Sequence, residues 1–275
     1  MTYELIKDKI PRRINFIPHA VPDNMFFPMT PSERLSYKQQ ILGKERLDHF
    51  VTIWVNRNAK RKRPSDVIKS WKIFLDKLEE EEGHRNATLI MHTDPYDSEG
   101  PNLIKNCEYH DVLNNVYFST ERLDFDKINV LYNISDACLN ISYAEGFGLA
   151  TLEGMMSGCP VIAVKTGGLT RQVVDHRDGS ENGIALPVEF KSLVGSQQVP
   201  YIYEDYVSCE TVANGLFNLC QLPISEKLSL RKKCIDYAKD CFSLQDTVDS
   251  WHETLEELSE GMIIKLGNFL VYRDC

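Results

Sequence analysis

The stretch from Ala144 to Ile162 reads AEGFGLATLEGMMSGCPVI. An apolar strand is predicted to end near Ser142, after which two glycines let the backbone approach a ligand closely. A helix follows, and the free N–H groups of its first turn favour an anion. Glu145 precedes that helix and Glu153 lies about two turns along it, so the two carboxylates can address different ends of one bound molecule. The alternative is a plain strand-turn-helix joint with solvated glutamates.

Outward from this stretch, short apolar runs alternate with longer helical periods between His49 and Val188. This alternation is typical of βαβ units, so we predict an α/β fold with a Rossmann-like parallel sheet and flanking helices. The predicted strands are apolar or aromatic along most of their length, as strands buried on both faces should be. They are Phe50–Val55, Ala87–Met91, Val116–Ser119, Ala137–Ile141, Val161–Val164 and Gly183–Pro187.

Apolar residues at helical spacing predict the helices between these strands, including one that starts near Pro64 and ends at Gly83. Others are predicted around Ile128 to Tyr132 and from Leu149 to Met156. From Tyr206 onward the strand pattern stops. Three C-terminal helices are predicted, Val207–Leu222, Ser225–Cys241 and Leu244–Leu258, whereas Ile263–Tyr272 looks like a strand with no place in the sheet.

The charge balance excludes some classes of partner. The 275 residues include 31 Lys and Arg against 40 Asp and Glu, a formal net charge of −9 at pH 7, which argues against non-specific binding to nucleic acid or an anionic membrane. The eight cysteines form no metal-ligand spacing, which argues against zinc and indicates thiols in a reducing compartment. No apolar run reaches the ~20 residues of a spanning helix, and the N-terminus lacks a signal-peptide core. We therefore expect no transmembrane segment and a cytoplasmic location.

The stretch from Ala144 to Ile162 resembles the donor-binding motif of the retaining glycosyltransferases of family four, also called group 1. That motif is EGFG, a second Glu eight positions after the first, and a small-residue turn into PV. Enzymes of that family have the GT-B architecture, in which two Rossmann-like domains face each other and the C-terminal one holds the nucleotide sugar. The resemblance implies that Glu145 contacts hydroxyls of the donor sugar and Glu153 those of the ribose. It also implies that the sugar and the diphosphate accept hydrogen bonds from the backbone N–H groups of Gly146, Phe147, Gly148 and Leu149.

A basic segment directly after the first predicted strand, VNRNAKRKRP from Val55 to Pro64, gives a second match. The family has an Arg and, five positions later, a Lys there; they fall on Arg57 and Lys62, and the family uses both to neutralise the diphosphate. A leaving diphosphate needs cationic partners where no metal is present. We therefore predict binding without a metal or other cofactor, with Arg57, Lys62 and Glu145 as catalytic residues. The alternatives are a solvated charge run or a nuclear-localisation-like tract.

Gly167 and Gly168, after the fifth predicted strand, resemble the family's GG loop and either line the site or form a plain turn. Asp94-Pro95 and Ser119-Thr120 end neighbouring strands and would face the same cleft by strand polarity. His92 is predicted to be a packed strand residue rather than a catalyst.

The resemblance extends over residues 16–257 and includes IPHAVP from Ile17 to Pro22, which is similar to the family's interdomain stretch. In the family a whole acceptor domain precedes that stretch, whereas here it follows sixteen residues. We therefore predict an interdomain-like segment over residues 1–30, a nucleotide-sugar-binding Rossmann-like domain over 31–260, a tail over 261–275, and no acceptor domain.

Three functions fit these patterns. The resemblance favours the donor-binding half of a retaining, hexosyltransferase-type glycosyltransferase. A second function is a module or truncated product that binds a nucleotide sugar and transfers nothing. A third is a nucleotide-sugar epimerase, which shares the two-domain architecture but is not expected to carry EGFG with a Glu at this spacing. The expected partners are a nucleotide sugar, an acceptor whose chemistry the sequence does not reveal, and a separate acceptor-domain chain.

Overall fold

A computed structural model describes the backbone of residues 16–271 and the side chains of residues 16–259. Six parallel strands form the central sheet in the order β3-β2-β1-β4-β5-β6. Each of the six strands predicted for the sheet is present, with ends that differ by one residue at most. The strands are Phe50–Val55 (β1), Ala87–His92 (β2), Val116–Ser119 (β3), Ala137–Asn140 (β4), Val161–Val164 (β5) and Gly183–Leu186 (β6).

The strand order reverses between β1 and β4, where Thr52 pairs with Ala137 and Ile53 with Cys138. The connections that leave these two strands pass to opposite sides of the sheet, which opens a crevice at their carboxyl ends. Open α/β sheets bind their ligands at such a switch point. We therefore expect the ligand-binding residues in the loops that follow Val55 and Asn140.

Helices cover both faces of the sheet. The described helices are Pro31–Leu42 (α1), Pro64–Glu82 (α2), Leu103–Tyr109 (α3), Phe125–Asn133 (α4), Leu149–Met156 (α5), Leu169–Val173 (α6), Cys209–Gln221 (α7), Ile224–Cys241 (α8) and Leu244–Val271 (α9). Alternate residues of β1 point to opposite faces, so Phe50 and Trp54 join the apolar core under α2 and α7 while Val51 and Ile53 join the core under α5 and α8. The predicted α/β fold class with C-terminal helices is confirmed.

Helices α1 and α3 and one hairpin were not predicted from the sequence. Thr30 and Glu33 form a capping box that starts α1, a signal that the sequence TPSE carries. A two-stranded antiparallel hairpin, Phe190–Leu193 (β7) and Tyr203–Tyr206 (β8), follows β6.

The strand interpretation of Ile263–Tyr272 is wrong as far as Val271, because α9 continues through these residues as one helix. An apolar run of this length fits a helix or a strand equally well by composition. The helix satisfies its own backbone hydrogen bonds, whereas a strand here would need a partner edge. Tyr272 lies outside the described residues.

The predicted division at residues 30 and 260 stays a prediction. Residues 1–15 lie outside the described part, and residues 16–30 carry no helix or strand. The carbonyl of Phe27 accepts from Asn133 Nδ2 at 2.9 Å and the N–H of Met29 donates to Asn133 Oδ1 at 2.8 Å, which fixes the segment on α4. At the other end α9 passes residue 260 without a break. In residues 16–271 no helix has the length and apolarity needed to cross a membrane.

Candidate active site

A cavity of about 310 Å³ opens at the switch point of the sheet. Its walls come from the loop after β1, the loop after β4, the first turn of α5 and the segment before α1. The lining residues are His19, Asn56, Lys62, Asn140, Glu145, Phe147, Gly148, Leu149 and Ala150. The basic segment and the EGFG stretch, 83 residues apart at Lys62 and Glu145, thus face one space.

Lys62 and Glu145 form an ion pair in this cavity, with the ammonium group donating to Oε2 of the carboxylate. Each side chain is only 11% exposed. Arg61 lies at the rim, with Nη1 at 3.6 Å from the same carboxylate oxygen. Burial lowers the pKa of Lys62, and Glu145 opposes that shift. The cavity therefore holds a cation and an anion that neutralise each other.

The backbone holds the two loops together. The N–H of Tyr143 donates to the carbonyl of Arg61 at 3.0 Å. Arg63 caps α2 in the left-handed conformation, and its guanidinium lies 4.9 Å from the centre of the Tyr143 ring. It also donates to the carbonyl of Val207 at 2.9 Å. Lys62 is therefore positioned by a buried neighbour that is itself tied to three parts of the chain.

The first turn of α5 points into the cavity. Gly148 precedes it with φ +93°, and a Cβ there would lie 2.6 Å from Cδ2 of Leu169, so glycine is required. The N–H groups of Leu149 and Ala150 begin the helix, where no intrahelical acceptor exists. Together with the helix dipole they favour a negative group at this end of the cavity.

Gly167 and Gly168 support the EGFG loop from behind and do not line the cavity. The N–H of Gly168 donates to the carbonyl of Glu145 at 3.1 Å. A Cβ on Gly168 would lie 2.5 Å from the Cα of Phe147. The two loops pack backbone to backbone, so the GG sequence is explained by close approach to Glu145 and Phe147.

Residues 38–192, more than half of the chain, match the family model described as glycosyl transferases group 1. The chain belongs to this family. A curated relative, the D-inositol 3-phosphate glycosyltransferase of Arthrobacter sp. (strain FB24), is 42% identical over 48 residues, which are 18% of this chain and 11% of the relative. The family resemblance on the EGFG stretch is confirmed.

Solved structures of longer proteins share the fold. Sucrose-phosphate synthase from Thermosynechococcus elongatus aligns with a TM-score of 0.71 at 18% identity over 94% of this chain and 57% of that one. HepE from Anabaena, solved in complex with UDP and glucose, aligns with a TM-score of 0.64 at 20% identity over 86% of this chain and 55% of that one. This group 1 chain thus spans little more than half the length of these proteins.

Glu153, the second glutamate of the group 1 motif, lies on α5 behind the cavity lining. Its Oε2 accepts a hydrogen bond of 3.0 Å from the hydroxyl of Tyr132, which is fully buried on α4. Burial raises the pKa of Glu153, and the Tyr132 hydrogen bond opposes that shift. One carboxylate oxygen is therefore held by the protein.

Arg57 does not reach the cavity. The other predicted site residues that do not line it are Gly146, Glu153, Gly167 and Gly168. Its guanidinium lies 2.7 Å from Asp97 and 2.9 Å from Glu99, both in the loop after β2, and its side chain is 58% exposed. The hydrogen bond from Arg57 lowers the pKa of Asp97. Asp97 is only 15% exposed and accepts from both Nε and Nη2 of Arg57, so this pair holds Arg57 away from the cavity.

Four cavity residues were not predicted as site residues: His19, Asn56, Asn140 and Ala150. The His19 ring lies edge-on to Phe147 with centroids 5.1 Å apart, and its position in the interdomain-like IPHAVP stretch was the available signal. Asn140 is fixed by hydrogen bonds to Ser142 and Thr151. His92 is half-buried at the end of β2 and hydrogen-bonded to Ser119 at 2.9 Å, in agreement with its prediction as a packed strand residue.

Proposed function

We propose that this chain is the donor-binding half of a retaining glycosyltransferase that takes a nucleoside-diphosphate sugar without a metal ion. The observation that carries the proposal is the Lys62–Glu145 pair beside the first turn of α5. A nucleotide sugar offers both the anion that Lys62 binds and the hydroxyl groups that Glu145 accepts from. Membership of group 1 and the UDP complex of HepE support this choice of ligand.

The diphosphate binds by exchange. A phosphate oxygen replaces the carboxylate of Glu145 on the ammonium group of Lys62, and the N–H groups of Leu149 and Ala150 donate to the same diphosphate. Glu145 is then free to accept hydrogen bonds from two sugar hydroxyls, which orients the ring. Because Lys62 and Glu145 are each only 11% exposed, both new interactions are screened by water less than those of fully exposed groups.

The ribose binds at Glu153. Tyr132 holds Oε2 of that carboxylate, which leaves Oε1 for the ribose hydroxyls. Arg57 joins the site by turning from Asp97 and Glu99 toward the diphosphate, which breaks both of its ion pairs.

In the proposed reaction the bond between the anomeric carbon and the phosphate oxygen breaks, and the acceptor oxygen bonds to that carbon on the same face. The leaving phosphate takes the proton of the acceptor hydroxyl. Negative charge grows on the diphosphate as the bond breaks, and Lys62 and the first turn of α5 stabilise it. No residue of this chain has to act as a general base.

Lys62→Ala should weaken the binding of UDP by about 1.5–3 kcal/mol, the range for a hydrogen bond to a charged group. Isothermal titration calorimetry in the presence of EDTA is the measurement. Lys60→Ala is the matched control, since Lys60 is an exposed lysine of the same short helical turn, Lys60–Lys62. If the Lys62→Ala variant binds UDP as tightly as the wild type, the phosphate site lies elsewhere. If the wild type loses UDP binding in EDTA, the metal-free proposal is wrong.

Glu145→Gln and Glu153→Gln should differ in the ligand they affect. Glu145→Gln should impair UDP-glucose while leaving UDP bound about as tightly, because it replaces one of the two acceptor oxygens for the sugar hydroxyls by an NH2 group and leaves Lys62 in place. Glu153→Gln should weaken both ligands, since both contain the ribose. Titrations of the two variants with the two ligands give the comparison, and equal behaviour of the variants would refute this division of roles.

A further inference from the structure

Arg63, the residue directly after Lys62, has an unusual backbone conformation. Its φ is +56°, and in the described part of the chain Asp111 is the one other non-glycine residue with a positive φ. Glycine adopts this left-handed conformation without a steric penalty, whereas a side chain disfavours it. Strained residues persist where the surrounding structure holds them, and they are concentrated at functional sites. The presence of arginine here is therefore explained by what its side chain contacts.

The guanidinium of Arg63 is buried against two aromatic rings. The side chain is only 5% exposed. Its guanidinium carbon lies 4.9 Å from the centre of the Tyr143 ring and 5.9 Å from that of the Tyr206 ring, and the two ring centres are 4.5 Å apart. Nη1 is buried without a hydrogen-bond partner among the described residues. The attraction between the cation and the ring faces stabilises the group in this position.

Both rings come from parts of the chain that border the loop of Glu145. Tyr143 lies two residues before Glu145, and Tyr206 is the last residue of β8. The N–H of Asp205, next to Tyr206, donates to the carbonyl of Tyr143 at 2.8 Å. Oδ2 of Asp205 also accepts from Thr166 Oγ1 at 2.7 Å, after the end of β5. The β7–β8 hairpin is therefore fixed at the same edge of the sheet as the cavity.

Hydrogen bonds join this arrangement to the backbone of Lys62. Nε of Arg63 donates to Asp66 in the first turn of α2 at 2.8 Å, and Nη2 donates to the carbonyl of Val207 after β8 at 2.9 Å. The N–H of Arg63 donates to the carbonyl of Lys60 at 3.1 Å, which closes the short turn that contains Lys62. The ammonium group of Lys62 is held by Glu145, and in the proposed function a phosphate oxygen replaces that carboxylate. From then on the direction of the Lys62 side chain depends on the backbone that Arg63 fixes.

We propose that Arg63 is a positioning residue for Lys62, and that the β7–β8 hairpin belongs to the donor site because its Tyr206 holds the guanidinium of Arg63. The inference rests on the proposed function, in which Lys62 binds the diphosphate. Arg63 is not among the residues that line the cavity, so its contribution to binding passes through Lys62. A residue that only stabilises the fold would instead affect binding whether or not Lys62 is present.

Arg63→Gly permits the same backbone conformation and removes the guanidinium, so it should weaken UDP binding about 10-fold or more. In a chain that carries Lys62→Ala, the same substitution should change the UDP affinity by about 2-fold at most, because the group through which Arg63 acts is gone. Asp111→Gly is the matched control for relief of a positive φ, and it should leave UDP binding unchanged. Isothermal titration calorimetry of the single and double variants is the measurement.

Acylation of lysine side chains, read by mass spectrometry, gives a second measurement that needs no UDP. Lys62 is 11% exposed and Lys60 is exposed, so Lys62 should react more slowly in the wild type. Arg63→Gly should bring the labelling of Lys62 close to that of Lys60. Tyr206→Leu, which removes the ring and keeps Arg63, should act in the same direction, and it carries both measurements if Arg63→Gly does not fold.

Circular dichroism establishes that each variant is folded. An Arg63→Gly effect on UDP binding of equal size with and without Lys62 overturns the inference, since Arg63 would then act on the fold alone. Unchanged labelling of Lys62 in a folded Arg63→Gly chain also overturns it. If Lys62→Ala alone does not weaken UDP binding, the proposed function is wrong at Lys62, and the labelling of Lys62 then decides by itself whether Arg63 positions that side chain.

Discussion

Replacing Gly167 by alanine is expected to lower the free energy of unfolding by about 2–5 kcal/mol and to abolish the binding of UDP. Gly167 has φ +48°, a region where a Cβ costs about 1–2 kcal/mol. A methyl group there would also overlap the carbonyl oxygen of Glu145, and such overlap costs about 1–3 kcal/mol. The two contributions act at one residue and add.

Binding should fail because the overlap is relieved only if the backbone of Glu145 moves. That backbone carries the carboxylate that pairs with Lys62 and the start of the loop that leads into α5. A shift of this loop separates the cation, the anion and the helix N-terminus that the proposed ligand needs together.

Two further alanine variants separate the causes. Gly179 has φ +78° with open space around its Cβ position, so Gly179→Ala should show the backbone cost alone, about 1–2 kcal/mol. Gly146 lies in the EGFG loop with open space and no positive φ, so Gly146→Ala should stay within about 1 kcal/mol of the wild type. Urea unfolding and UDP titration give both readouts. A Gly167→Ala variant no less stable than Gly179→Ala would contradict the close packing of the two loops.

The central sheet was predictable because its strands are buried on both faces. Val161–Val164 is apolar throughout and fully buried, and a continuous apolar run between turn signals has few other places in a structure. The same holds for α2, where Trp71 and Phe74 mark one buried side of a helix that starts at a proline and ends at a glycine. Here local pattern and tertiary environment agree.

The hairpin of β7 and β8 was missed because its stability depends on pairing, not on composition. Phe190–Leu193 and Tyr203–Tyr206 are four residues each; the first is largely exposed, and in the second Asp205 alone is buried. They lack the apolar run that marks the other strands. What places them is the antiparallel register of Phe190 with Tyr206, and a partner across a loop cannot be read from either segment alone.

The sequence predicted which residues belong to the site, and the structure shows which of these residues contact each other. Lys62 and Glu145 each came from a local motif, but their ion pair exists only because β1 and β4 are neighbours in the sheet. Arg57 shows the converse, since its acidic partner Asp97 lies 40 residues away on the loop after β2. Whether an arginine turns to a ligand or to a carboxylate is decided by tertiary placement, which the basic run VNRNAKRKRP does not contain.

The 275-residue chain alone is expected to show, at most, slow hydrolysis of the donor, with transfer about 10⁵-fold or more below that of a complete enzyme. The donor half already contains most of the charge stabilisation in the proposed reaction, through Lys62, the first turn of α5 and, after rotation, Arg57. The donor half does not position the acceptor. Fixing two reactants in near-attack geometry contributes about 7–11 kcal/mol of the barrier.

The measurement is the release and transfer of labelled glucose from UDP-glucose by the purified chain, with simple sugars as acceptors. Slow release of glucose that depends on Lys62 would support the enzyme, whereas binding without release or transfer would support the non-catalytic module. Conversion of the donor to an isomer would support the epimerase. These three outcomes correspond to the three functions that the sequence leaves open.

The decisive comparison is the same assay after addition of an acceptor domain, supplied as a second chain or as a fused upstream segment. The open side of the cavity admits solvent, so developing charge on the diphosphate is partly screened by water and each cationic contact is weaker than in a closed site. A second domain closes that side and places the acceptor hydroxyl beside the anomeric carbon, so transfer should appear only in its presence. Glycosylation of a simple acceptor by the 275-residue chain alone at ~1 s⁻¹ or faster, an ordinary enzymatic rate, would show that one domain suffices for both binding and positioning.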